Sequence, residues 1–212
     1  MCANFDNLKA EALNLEAAGA TRLHLDFMDG QYVPNFALGL GDVKTVCRYT
    51  SLVTELHLMI MEPGRYIKMF ADAGVDIIYF HPDSDHDPKA VIRRIRERGL
   101  RPGIVINPEA SIESLQEFYE LVDNILVMGV KPGHAGHLYL PHVDKKLVEL
   151  TAIKDKYNLE IIIDGACSLE RMRRWSRQGI DGFVLGTASL FGHRGSYKDL
   201  IDNIKRECGD LK

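Results

Sequence analysis

Apolar and polar positions along the chain follow two periods that alternate from the N-terminus to the C-terminus. Phe5, Leu8, Ala12, Leu15 and Ala18 fall on one face of a helix, and Gly19 follows as a stop. From Leu23 to Phe27 the period drops to two: Leu23, Leu25 and Phe27 project from one face of a strand, His24 and Asp26 from the other. A helical stretch over 42–49 leads to a strand over 54–59. Pro63 opens a helix that Gly74 closes, before a strand over 76–81. Asp87-Pro88 reads as an N-cap with proline at the first helical position, and Gly99 ends that helix. A strand over 103–107 precedes a helix capped by Ser111 and running to about Val122. The near-continuous apolar run over 124–130 has the pattern of a strand buried on both faces. A helix over 143–157, a strand over 160–164, a helix from Ser168 to Gly179, a strand over 182–186 and a helix from about Tyr197 complete the pattern.

Strands alternating with helices, at intervals of roughly 22 to 36 residues, predict a parallel sheet. Seven strands are visible, and a helix comes before the first of them. An α/β fold of the (β/α)8 TIM-barrel type lacking its first strand accounts for this better than an open doubly wound sheet. An open sheet would more often carry a G-x-G-x-x-G turn after its first strand, and none is present. No linker or low-complexity segment interrupts the pattern, so residues 1–212 are expected to form a single barrel domain.

Composition narrows the function classes. With 46% hydrophobic residues the chain can bury a sizeable core, and a net charge of −4 without a basic block argues against nucleic acid as partner. The cationic run over 93–98 suits the solvated C-terminal end of a helix. Cys2, Cys47, Cys167 and Cys208 form no CxxC pair, which argues for a reducing compartment and against a thiolate zinc site. No run of about 18 apolar residues and no signal-peptide pattern occurs, so a cytoplasmic protein with no membrane partner is expected.

In a barrel of this kind active-site groups sit at the C-terminal ends of the strands. The polar residues interrupting apolar strands near those ends are His24, Asp26, His57, His81, Asn107 and Asp164. Any one of them alone is read as a hydrogen-bonded core residue, and His81 and Asn107 keep that reading. An imidazole and a carboxylate two residues apart on a buried strand would cost several kcal/mol unpaired. Together, His24, Asp26, His57 and Asp164 on three strands make a donor set for one divalent metal: zinc first, with manganese or ferrous iron as alternatives. Three glycine-containing segments follow strands: Lys131-Pro132-Gly133-His134-Ala135-Gly136, Gly165-Ala166 and Gly186-Thr187. Small residues let backbone N–H groups approach an anion, and barrels often bind phosphate at their last two loops.

Five motifs carry a resemblance. LHLDFMDGQYVPN (23–35), ELHLM (55–59), VMGVKPGHAG (127–136), IIIDGA (161–166) and VLGTASLFG (184–192) resemble the ribulose-phosphate 3-epimerase family, over essentially the whole chain. The resemblance implies that His24, Asp26, His57 and Asp164 hold the metal, with Asp26 and Asp164 also the catalytic acid/base pair. It implies that Met28, Met59 and Met128, otherwise core filler, line the site, and that Gly133, His134, Ala135, Gly136, Gly165, Ala166, Gly186 and Thr187 bind the substrate phosphate. The implied reaction inverts C3 of a small-molecule ketose phosphate, D-ribulose 5-phosphate to D-xylulose 5-phosphate in the pentose phosphate pathway. The metal would stabilise the enediolate, and the implied assembly is a homo-oligomer, dimer or hexamer.

The sequence also departs from the family pattern. The strand with a Pro-Ser pair that precedes residue 1 in family members is absent. The usual Gly-Phe-Gly-Gly is Gly133-His134-Ala135-Gly136, His137 replaces a glutamine, and the usual Asp-Gly-Gly is Asp164-Gly165-Ala166. These changes are similar to the branch acting on D-allulose 6-phosphate, which leaves substrate length open. A related decarboxylase would carry Asp-x-Lys-x-x-Asp, and Asp26-Phe27-Met28-Asp29 has no such lysine. A sugar-phosphate-binding protein without turnover, through the missing strand, is the non-enzyme alternative.

Overall fold

A computed structural model describes residues 1–209; the last three residues of the expected domain, 210–212, lie outside the described residues. Seven parallel strands form one curled sheet: β1 (Arg22–Asp29), β3 (Val53–Met59), β4 (Ile77–Phe80), β5 (Arg101–Ile106), β6 (Asn124–Met128), β7 (Glu160–Asp164) and β8 (Gly182–Val184). Their chain order is also their spatial order, so each pairs with the next around the wall. An unforeseen two-residue strand, β2 (Phe36–Ala37), runs antiparallel to the top of β1, pairing Met28 with Ala37 and Asp29 with Phe36. Two residues are too short a run to leave an alternation in the sequence. Among the described residues no ladder joins β8 to β1, and the barrel wall is open along that seam.

Helices α1 (Leu8–Ala17), α2 (Leu40–Tyr49), α3 (Ile67–Ala71), α4 (Pro88–Glu97), α5 (Val143–Tyr157), α6 (Leu169–Ser176) and α7 (Tyr197–Cys208) accompany the strands. The expected caps are made. The Asp87 side chain accepts from Ala90 N–H at 2.9 Å and the Ser168 hydroxyl accepts from Arg171 N–H at 3.3 Å.

Two segments differ from the expected helices. The stretch opened by Pro63 is a 3-10 turn at 63–65 followed by the single short α3. The stretch capped by Ser111 is a 3-10 helix, Ile112–Phe118, that buries Leu115 and Phe118. Three-residue spacing stacks those two side chains on one edge of a 3-10 helix, which an α-helix would splay apart.

The core has two layers, and the alternation of the strands decides which residue joins which. Leu23, Leu25, Leu56, Leu58, Ile78, Phe80, Ile104 and Ile125 face outward and pack with helix residues such as Phe70, Ile95, Leu147 and Trp175. Ile77, Tyr79, Val105, Leu126, Met128 and Ile162 fill the barrel interior. Each such side chain contributes about 1.5–3 kcal/mol by leaving water. Gly103 is required here: a Cβ on it would lie 2.3 Å from the Tyr79 ring, which occupies the space a side chain would take. Among the described residues no helix is long and apolar enough to cross a membrane.

Candidate active site

Register assembles the site. On β1 and β3, Asp26 pairs with His57, His24 with Glu55 and Met28 with Met59; across β6 and β7, Met128 pairs with Asp164. Paired residues point to the same face of a sheet, so the curl of the wall turns these side chains inward toward one another.

The four expected ligands converge. One donor atom from each of His24, Asp26, His57 and Asp164 lies within 4.8 Å of all the others. His24 Nε2 is 3.6 Å from Asp26 Oδ1 and 3.9 Å from Asp164 Oδ2; His57 Nδ1 is 3.4 Å and 3.6 Å from the same two oxygens. Both ring nitrogens are buried and have no hydrogen-bond partner. Buried polar atoms are nearly always paired, so two orphan imidazole nitrogens facing two carboxylates mark a place for a cation. The group can hold one divalent metal ion, since imidazole and carboxylate are its ordinary ligands. The Met1 amine lies 3.1 Å from Asp26 Oδ2.

The electrostatics follow from this packing. Burial pushes the Asp26 carboxyl up, but His57, the N-terminal ammonium and His24 outweigh it and hold the group well below the usual carboxylate range. Burial pulls His24 down, yet its bond to Glu55 and the charges of Asp26 and Asp164 raise it to about 9.

Each imidazole is also held from behind. His24 Nδ1 donates to Glu55 Oε2 at 3.3 Å, and Arg22 ties Glu55 to Glu160 through bonds of 2.9 and 2.8 Å. Glu55 is buried, so the Arg22 guanidinium offsets the cost of its charge. His57 Nε2 lies 2.9 Å from His81 Nε2, and both rings are fully buried.

A cavity of about 630 Å³ runs from this cluster along the open seam. His24, Asp26 and Asp164 line it together with all the glycine-loop residues named above: Gly133, His134, Ala135, Gly136, Gly165, Ala166, Gly186 and Thr187. Met28, Met59 and Met128 line it too; the first two pack with Val33 at the barrel mouth, the third with the interior core. His57 is the exception and sits behind the carboxylates. The loop after β1 closes over the glycines, with Asn35 Nδ2 donating to Gly133 O at 2.7 Å. Gly133 has φ +99, and a Cβ on it would lie 2.8 Å from Val33, so only glycine fits under this loop. Ala166 takes a left-handed φ of 51 where a glycine would be unstrained.

Sequence reasoning missed Glu55 as part of this assembly and left His81 as a core residue. His81 had a usable signal. Tyr79 pairs with His57 in register, and His81 is two residues further on, hence on the same inward face.

Comparison with known proteins agrees with this geometry. Residues 1–190 match the model of the family described as ribulose-phosphate 3 epimerase. The chain is similar to a ribulose-phosphate 3-epimerase of Bacillus subtilis (34% identical over 191 residues, covering 89% of this chain and 88% of that one). It is similar to one of Escherichia coli K12 as well (31% over 214 residues, covering 100% and 94%). Among solved structures, 3-hexulose-6-phosphate synthase from Salmonella typhimurium superposes with a TM-score of 0.71 at 14% identity, covering 95% of this chain and 93% of that one, a likeness of fold. The donor cluster, the curled parallel sheet and these matches together place the chain in the ribulose-phosphate 3-epimerase family.

Proposed function

We propose that the chain is a metal-dependent isomerase that inverts C3 of a ketose phosphate, with D-ribulose 5-phosphate and D-xylulose 5-phosphate as its substrate pair. The observation that carries this reading is the pairing of two carboxylates, Asp26 and Asp164, across two orphan imidazole nitrogens at the wall of a cavity lined by glycine loops. Asp26 stands on β1 and Asp164 on β7, on the two sides of the seam. A sugar lying between them presents opposite faces of C3 to the two groups. One carboxylate removes the C3 proton and the other returns a proton to the opposite face, a geometry that a single base cannot provide. His24, Asp26, His57 and Asp164 hold the metal, zinc by preference. When bound, the ion supplies electrostatic stabilisation for the negative charge that develops on the sugar oxygens, worth several kcal/mol. Backbone N–H groups of the segments 133–136, 165–166 and 186–187 take the phosphate. Met28, Met59 and Met128 surround the reacting carbon with apolar surface and keep water from it.

A second reading, D-allulose 6-phosphate as substrate, is favoured by one feature: His134, Ala135, His137 and Ala166 stand in the segments that line the phosphate end of the cavity. The test incubates the zinc-loaded chain with each sugar phosphate in D2O and follows deuterium at C3 by proton NMR. Exchange in one of the two, lost by a factor of roughly 10²–10⁴ in Asp164→Asn, is the expected result. A folded, metal-loaded chain that exchanges neither overturns the proposal.

A further inference from the structure

The fully buried histidine at the end of β4 lies among polar residues that the reaction as described does not use. His57 Nε2 is 2.9 Å from His81 Nε2. His81 Nδ1 and Asn107 Oδ1 are both buried, and neither has a hydrogen-bond partner. Asn107 Nδ2 donates to the Tyr32 hydroxyl at 2.7 Å, and Tyr32 donates to Asp83 Oδ1 at 3.0 Å. Two bonded groups result, His57 with His81 and Asn107 with Tyr32 and Asp83, and each presents one unpaired buried atom, His81 Nδ1 and Asn107 Oδ1.

Their hydrogens can run in only one direction. An ionised Asp83 can only accept, so Tyr32 donates to it and must accept from the Asn107 amide. That leaves Asn107 Oδ1 as an unpaired acceptor, and a hydrogen on the equally unpaired His81 Nδ1 is its complement. With its hydrogen on Nδ1, His81 offers a lone pair at Nε2, and His57 must donate its Nε2–H to it. The lone pair of His57 is thereby left at Nδ1, the atom that faces Asp26 and Asp164.

We propose that His81 is a positioning residue that fixes the ring orientation and hydrogen of His57, with Asn107, Tyr32 and Asp83 setting the direction of the hydrogens. Through His57, His81 acts on metal affinity rather than on the sugar. This assignment rests on the metal-dependent reading above for the ion. It concerns which ring atom carries a hydrogen, not a titration.

Nitrogen NMR of the zinc-loaded chain labelled with 15N-histidine tests it directly. The expected pattern is an N–H at Nε2 of His57, an N–H at Nδ1 of His81 and a pyridine-type nitrogen at Nε2 of His81. A pyridine-type Nε2 on His57 overturns the proposal. Zinc competition with a chromophoric chelator gives the second readout. His81→Phe keeps a planar ring but removes the acceptor and is expected to weaken zinc roughly 10–100-fold, the usual cost of losing a partner behind a ligand. His81→Gln restores an acceptor oxygen and is expected to bind within a few-fold of the wild type. Equal zinc affinity in folded His81→Phe and wild type, or equal losses in the Phe and Gln variants, overturns the proposal. If His81→Phe does not fold, the wild-type spectrum decides alone. Neither readout needs turnover: a chain that shows this spectrum and exchanges no sugar proton overturns the epimerase reading and leaves this assignment standing.

Discussion

The wall of the barrel is unlike itself on its two sides. From β3 to β6 nearly every strand residue is buried, inner and outer faces alike, and the helices outside pack Phe70, Ile95 and Leu147 against it. At the seam, β8 is half-buried along its whole length, and the cavity reaches down between β1 and β8 as far as Arg22, Glu55 and Glu160. The four residues that could hold a metal ion divide in the same way. His57, on the closed side, is 0% exposed and does not line the cavity, whereas His24, Asp26 and Asp164 do. A densely packed wall holds a ring in one orientation because any rotation would open voids or clash. The open side has no such wall behind it, and there orientation depends on bonds such as His24 to Glu55. The closed side supplies rigidity and the open side access.

The contrast can be broken most directly by truncating a side chain on each side. Phe80→Ala on β4 should lower stability by about 3–5 kcal/mol in urea unfolding, while Val184→Ala on β8 should cost no more than about 1.5 kcal/mol. Comparable losses would mean that the seam is as well packed as the wall.

Metal binding should bridge the two sides, because its ligands come from both. Zinc held at 100 times its dissociation constant should raise stability by about 2.7 kcal/mol. The gain should vanish in His57→Ala, which removes the closed-side ligand, and a thermal melt with and without zinc reads it. An undiminished gain in that variant would move the ion to the open-side groups alone.

The pH response of the metal-free chain should sharpen the comparison further. His24 is raised to about 9 when folded, against an ordinary value near 6.5. Its protonation therefore adds stability that is complete below about 6.5 and is lost as pH rises through about 9. Melting temperature should fall across that window without metal and stay flatter in His24→Asn. An equal fall in the variant would assign the effect to another group.

The smallest effect is expected at Ala166. Its left-handed backbone costs an alanine about 1–2 kcal/mol that glycine does not pay in the folded state. Ala166→Gly should raise stability by a fraction of that, because glycine also frees the unfolded chain. Chemical denaturation checks the sign.

Much of this molecule is legible in one dimension. Alternation over 23–27 separates Leu23, Leu25 and Phe27 from His24 and Asp26, and the structure puts the first three in the outer core and the other two at the cavity. Period two is a property of the strand itself, so the side of the sheet is readable without knowing any partner. The Asp87 and Ser168 caps are equally local, as are the seven parallel strands and their succession. The donor set His24, Asp26, His57 and Asp164 could be read because polar groups interrupting apolar strands are costly wherever they lie.

Tertiary structure decided what depends on distant neighbours. That His57 lies behind the carboxylates and against His81, and that Asn107 meets Tyr32 and Tyr32 meets Asp83, follows from how the curl of the sheet brings strand ends and loops together. Sequence alone left His81 and Asn107 as core residues, because a hydrogen bond between residues far apart in the chain leaves no periodic trace. The two-residue β2, the 3-10 helix at 112–118 and the reach of the cavity along the seam belong to the same class. Local pattern determined which residues face inward; closure of the wall in three dimensions determined which of them meet.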